Sequence, residues 1–225
     1  QKTAYEIRIR DWSSDVCSSD LNTFTGGITL SGGTLRIGSG GLSGSVASSI
    51  VNDAMLEFGR SDDVVYGLNI SGTGALRKFG SGALTLSGAN TFSGATMISA
   101  GTLTVSGGMA LNSGGAVVLA DNAGAAFKLM SSQTIGSLAG GAIDGLVLLE
   151  SNTLTFGDAN NTLVAASISG ASGSLRKQGS GTVGLSGLNS FNGMLSIDAG
   201  TLALFGGGAV EDTVAVTLSG TAGVV

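Results

Sequence analysis

Gly74 to Val105 reads GALRKFGSGALTLSGANTFSGATMISAGTLTV, and Gly173 to Leu204 reads GSLRKQGSGTVGLSGLNSFNGMLSIDAGTLAL, the same unit without a gap 99 positions on. A tail of it occurs a third time, where Asn22, Phe24, Gly33, Thr34 and Leu35 take the places of Asn90, Phe92, Gly101, Thr102 and Leu103. Within each copy Leu84-Thr85-Leu86, Leu103-Thr104-Val105 and Leu202-Ala203-Leu204 alternate with the period of two of a strand that buries one face. Glycines at Gly80, Gly82, Gly88, Gly94 and Gly101 punctuate these short runs and let the chain turn a corner between them. A unit of this kind cannot bury its apolar side alone and gains stability by stacking on its neighbours. Short strands separated by corners and repeated along the chain predict a coil.

The pattern L-x-K-x-G-x-G-x-L-x-L-S-G-x-N-x-F-x-G followed by A-G-T-L resembles the autotransporter-associated β-strand repeat, also called the passenger-associated transport repeat. The flanking LEFG (Leu56 to Gly59), LTFG (Leu154 to Gly157) and IGSLAG (Ile135 to Gly140) are similar to its usual companions. The resemblance covers nearly all of residues 22–225, with copies near 22–37, 74–105 and 173–204. It implies an all-β chain wound as a right-handed parallel β-helix. It also implies a bacterial outer-membrane or extracellular location, and export through a C-terminal outer-membrane barrel as partner. No barrel sequence is found among the 225 residues.

Gln1 to Leu21 differ in composition, holding the only Trp and the only Cys, Trp12 and Cys17. DWSSDVCSSDL and QKTAYEI resemble translated sequencing-library adapter, so this segment is expected to be an artefact, flexible and without biological meaning. Without it, 7 Lys and Arg face 11 Asp and Glu, and the remaining 204 residues contain no Cys, Trp, His or Pro. No histidine means no imidazole base, no Ser-His-Asp triad and no His metal ligand. No cysteine excludes a disulfide framework and thiolate metal sites. The mild acidity argues against nucleic acid as a partner. No apolar run approaches the ~18 residues of a membrane span, and the longest, Leu146 to Leu149, reads as a buried strand.

Motif and spacer together recur at 99 residues, which predicts a whole number of turns, four or five of ~20–25 residues each. The 204 residues from Asn22 on then make roughly eight to ten turns, a rod of about 40–50 Å at the ~4.8 Å strand spacing. Met109 to Glu150 keeps strand signals at Ala116–Ala120 and Ala125–Met130 but is Gly and Ala rich at Leu138–Gly145, and a departure from the coil is expected there. Thr85, Thr102, Thr104 and Thr201 are expected to face outward. The pairs Arg77-Lys78 and Arg176-Lys177 are expected to be solvated on the outside of the coil. Asn22, Asn90 and Asn189 are expected to be structural corners rather than glycan contacts. The chain reads as an internal fragment whose open ends would recruit other chains.

Glu57, Asp62 and Asp63 form the one local acidic cluster, and β-helical polysaccharide lyases and hydrolases do use clustered acids. The second copy reads Asp158-Ala159-Asn160 at the equivalent place and loses most of that charge. The expectation is therefore a non-enzymatic stalk, with no catalytic, cofactor-binding or metal-binding residue assigned and no cofactor, that displays adhesive or other functional regions at the cell surface. A carbohydrate-active or directly glycan-binding β-helix is the alternative, with host surfaces or glycans as further partners.

Overall fold

In the computed structural model the described residues are 26–206 apart from 122, 123 and 143, together with 210 and 214–219 and, for the backbone, the strands Ile7–Ile9, Ser13–Val16, Leu21–Asn22 and Gly223–Val224. Every strand pairing among them is parallel, and the chain forms a β-solenoid of about nine turns, as the repeat predicts. Each turn visits three faces in order. The first face is an 11-stranded sheet running from Ser13–Val16 to Gly223–Val224, and the second is a 7-stranded sheet continued by the pair Leu21–Asn22 and Ser45–Val46. The third is made of a 4-stranded sheet ending at Ile70–Ser71 and a 5-stranded sheet beginning at Gln133–Thr134.

Strict alternation along each strand turns one residue in two toward the axis, and in-register parallel pairing sets each such residue over its counterpart one turn away. On the first face Leu35, Leu56, Leu76, Thr96, Val117 and Leu138 form such a column. On the second face Leu84, Leu103, Phe127, Val147 and Ile168 form another, all of them buried. Thr85, Thr102 and Thr201 lie at partly exposed positions as expected, but Thr104 is buried. Its rung neighbours Thr85 and Lys128 flank it on both sides.

The expectation of a whole number of turns per 99-residue unit does not hold. Ala75–Phe79 opens the first full copy on the first face, whereas Ser174–Lys177 opens the second on the third face. The two copies are thus separated by four turns and two faces. Rung spacing varies from 19 residues, Thr182 under Thr201, to 24, Thr102 under Ala126, because corners differ in length while strands stay in register. A strand–corner–strand unit asks of its neighbours only an apolar residue at each inward position. All three faces supply that, so a copy can occupy any of them.

The described residues of 109–150 stay within the coil, correcting the expected departure. Ala116–Leu119, Ala125–Leu129, Ser137–Gly140 and Leu146–Leu148 all continue the first and second faces. What is missing is local: on the third face two successive passes, through residues 90–92 and 110–112, form no strand. Ile7–Ile9 and Ser13–Val16, inside the segment expected to be flexible, pair with Ile28–Leu30 and Thr34–Ile37. An open strand edge offers unpaired donors and acceptors to any extended chain beside it. Among the described residues no helix is long and apolar enough to cross a membrane.

Leu103 sits between Leu84 and Phe127 in the second-face column and has no exposed surface. Leu103→Asp is expected to lower the unfolding free energy by about 4 kcal/mol or more in urea titration, through an unpaired buried carboxylate; a denaturation curve identical to the parent's would mean that position 103 does not face the core.

Candidate functional site

Lys78 occupies an inward position between Phe58 and Ile98 in the first-face ladder, and Lys177 an inward position between Phe156 and Ile197 on the third. Both are buried, at 2% and 0% exposure, so the expectation of solvated basic pairs holds only for the arginines beside them. Each lysine stem runs through the apolar column and its ammonium emerges under a corner. There the Lys78 Nζ donates to the carbonyls of Phe79 (3.0 Å), Gly80 (2.7 Å) and Ala100 (3.1 Å). The Lys177 Nζ repeats the arrangement with Gln178 (2.9 Å), Gly179 (2.8 Å) and Ala199 (3.0 Å).

Three donors meet three acceptors, which fully satisfies an ammonium. The acceptors come from two successive turns, 22 residues apart for Lys78 and Ala100, so each lysine fastens one corner to the next. The corners are shaped for it by glycines at positive φ, Gly80 (80°) and Gly101 (63°) in one copy and Gly179 (75°) and Gly200 (69°) in the other. A Cβ at Gly200 would lie 2.8 Å from the Lys177 Nζ and 2.6 Å from the Gly179 oxygen. The recurring letters K-x-G and A-G are therefore one device. The recurrence of these letters in both copies is what the sequence shows of it; that the lysines turn inward comes from the structure.

The acidic cluster is engaged in the fold. Glu57 faces outward on the first face, yet its side chain is largely covered, and it bridges Arg36 (2.8 Å) and Arg77 (3.2 Å) on the rungs to either side. The Phe79 ring lies across Gly59, with the Arg36 and Arg77 guanidinium carbons 5.3 and 5.7 Å from its centroid. Asp62 accepts from Arg60, which also donates to the Leu42 and Gly44 carbonyls; this hydrogen bond holds the Asp62 carboxyl below its ordinary range. Asp63 accepts from the Ala83 amide at 2.8 Å, a role Asn161 repeats for Thr182, which shows that its charge is dispensable there. Each of the three acids has a protein partner, and among the described residues no group of acids is placed to hold a metal ion.

At the gap in the third face, side-chain amides replace missing ladder bonds. Asn90 accepts from the Ile70 amide (2.7 Å) and donates to the Ala110 carbonyl (2.8 Å), linking the turn before to the turn after. Gln133 donates to the Leu111 (3.0 Å) and Thr134 (2.8 Å) carbonyls. Asn90 is thus a structural corner as expected. Gln133 lies outside the repeated motif, and nothing in the sequence pattern marked it. The side chain of Asn22 lies outside the described residues.

Burial draws the Lys78 ammonium down to about 8 from its ordinary 10.5, with Asp63 opposing, and Lys177 moves in the same direction. Lys78→Met, which keeps the stem and removes the donors, is expected to cost about 2–4 kcal/mol at neutral pH by leaving corner carbonyls without their partner. Between about pH 8 and 10.5 the folded protein has released this proton while the unfolded chain still holds it, so stability gains with rising pH through that window. The gap between parent and Lys78→Met, followed by urea titration, is expected to be flat below pH 8 and to widen above it. A gap that narrows would mean that the carbonyls hold the proton more strongly than burial expels it.

Three segments, residues 19–37, 76–105 and 175–204, match the family model of the passenger-associated-transport-repeat, the last two containing the lysine corners. A segment of 54 residues is 50% identical to the adhesin BmaC autotransporter of Brucella suis biovar 1 (strain 1330), covering 24% of this chain and 2% of that protein's length. No solved structure matches the chain. Repeat pattern, lysine corners and stacked parallel sheets agree with these matches: the chain is a β-solenoid that carries three segments of the passenger-associated-transport-repeat.

Proposed function

We propose that residues 22–225 are a structural, non-catalytic stalk in the passenger of an autotransporter, carrying adhesive or other functional regions away from the bacterial surface. The observation that carries this reading is the uninterrupted first face, one sheet to which residues 22–225 contribute ten strands and through which every turn is tied to the next. Such stacking resists bending and extends ~4.8 Å per turn, which suits a spacer. In the full-length protein a C-terminal outer-membrane barrel would be the export partner and the outer surface the location. Because each turn contacts only its neighbours, folding can propagate from one end. That property fits a chain that emerges progressively from a pore. The engagement of Glu57, Asp62 and Asp63 in ion pairs and a backbone bond supports a stalk over a carbohydrate-active enzyme.

The test is display. Fused between an export signal and an autotransporter barrel, residues 22–225 are expected to reach the outside of intact cells as a core that resists added protease; retention of a folded, stable segment in the periplasm would count against the proposal.

We further propose that Gln1 to Leu21 derive from sequencing adapter. Long-read sequencing of the source locus is expected to replace them with additional repeat sequence, and finding them encoded in the genome would overturn that assignment.

A further inference from the structure

The gap in the third face opens a cleft of about 300 Å³ on the side of the coil. Amides come from Asn112 and Gln133, with Asn90, engaged by backbone, beneath them; hydroxyls come from Thr91 and Ser113, and an apolar wall from Met109, which is 59% exposed. None of the described residues lining it is ionisable. We propose that this cleft binds a neutral, hydroxyl-rich ligand, a saccharide unit of an uncharged glycan.

Three features carry the assignment. The first is an unmatched acceptor: Gln133 is 3% exposed, its Nε2 is committed to the Leu111 and Thr134 carbonyls, and its Oε1 has no partner. A buried acceptor in that state costs free energy unless a water or ligand hydroxyl meets it. The second is the mixture of roles. Asn112 accepts from the Gly114 amide through Oδ1, which leaves its Nδ2 to donate, while Thr91 and Ser113 are exposed hydroxyls that both donate and accept. Sugar hydroxyls likewise do both. A carboxylate or ammonium ligand would find no countercharge among these residues, which disfavours acidic and basic ligands.

The third is Met109, whose flexible, polarisable side chain offers an apolar surface to the C–H face of a sugar ring in the absence of an aromatic platform. The cleft also sits on rigid support. Asn90 and Gln133 are held by backbone bonds to the Ile70, Ala110 and Leu111 turns, so its floor is organised before any ligand arrives. The surrounding first and second faces are continuous at this level, so the gap removes no turn from the coil. This inference stands apart from the stalk reading, since a cleft on the flank of the rod requires neither export nor display.

The test is saturation-transfer difference NMR and calorimetry on the purified full chain with chitotriose, maltotriose, N-acetyllactosamine and, as a charged comparison, a sialylated lactose. At least one neutral sugar is expected to bind with a dissociation constant on the order of 1 mM or below. The rim variant Thr91→Val with Ser113→Ala, which leaves the buried amides in place, is expected to weaken that binding about tenfold at unchanged melting temperature. Gln133→Met should abolish it; should that variant fold poorly, the rim variant alone decides. Binding of none of the neutral sugars, equal or tighter binding of the sialylated one, or neutral binding that survives the rim variant would each overturn the proposal. So would a peptide library outcompeting every sugar at the same residues.

Discussion

Register between turns is the constraint on which everything else in this molecule depends. Parallel strands must lie one residue directly over another for their backbone groups to bond along the axis, and that alignment decides which side chains stack inside. With 42% apolar residues and 11% charged ones, the chain has material for continuous inner columns and little to spare for an elaborate surface. Variation in turn length, from 19 to 24 residues, is absorbed in the corners. The strands never slip, since a shift of one residue would turn Leu, Val and Ile outward along a whole rung.

Corners therefore carry the problem that the strands avoid. A corner interrupts the ladder and leaves partly covered carbonyls without a strand partner. The lysines at 78 and 177 answer this with a long apolar stem, which packs among Phe and Ile, and a head that meets three carbonyls at once. A shorter or single-donor side chain could not span from its own corner to that of the next turn. Asn90 solves the same problem where no lysine is present, using one amide in both directions along the axis. Charge on the inside is held by carbonyl dipoles, while charge on the outside is used in cross-rung ladders such as Arg36–Glu57–Arg77.

This division of labour also explains how repeat copies sit on different faces. The lysine device needs its own corner and the corner one turn later, and it makes no reference to which face follows. A motif defined by a corner can rotate around the coil between copies, as the two here do. A motif defined by a binding face could not. The cleft beside Gln133 belongs to the other kind, since it exists at one level of the rod only, where two successive third-face passes form no strand.

The sequence by itself determined the class of fold: alternation at Leu84–Leu86 and Leu103–Val105, glycines between, and a unit repeated at 99 positions leave stacking as the means of burying the apolar side. It also indicated that the acids were poor catalytic candidates, because the second copy keeps only Asp158 at the equivalent place. Only the tertiary structure decided that Lys78 and Lys177 point inward. Local pattern ranks lysine as a surface residue, and the carbonyls that make its burial tolerable come partly from residues 22 positions away. The same holds for the phase between copies, which depends on corner lengths summed over nearly five turns, and for Gln133, whose surroundings are assembled from three successive turns. Periodicity is a short-range property and can be read along the chain, whereas desolvation and hydrogen-bond satisfaction are set by neighbours that only the winding of the coil brings together.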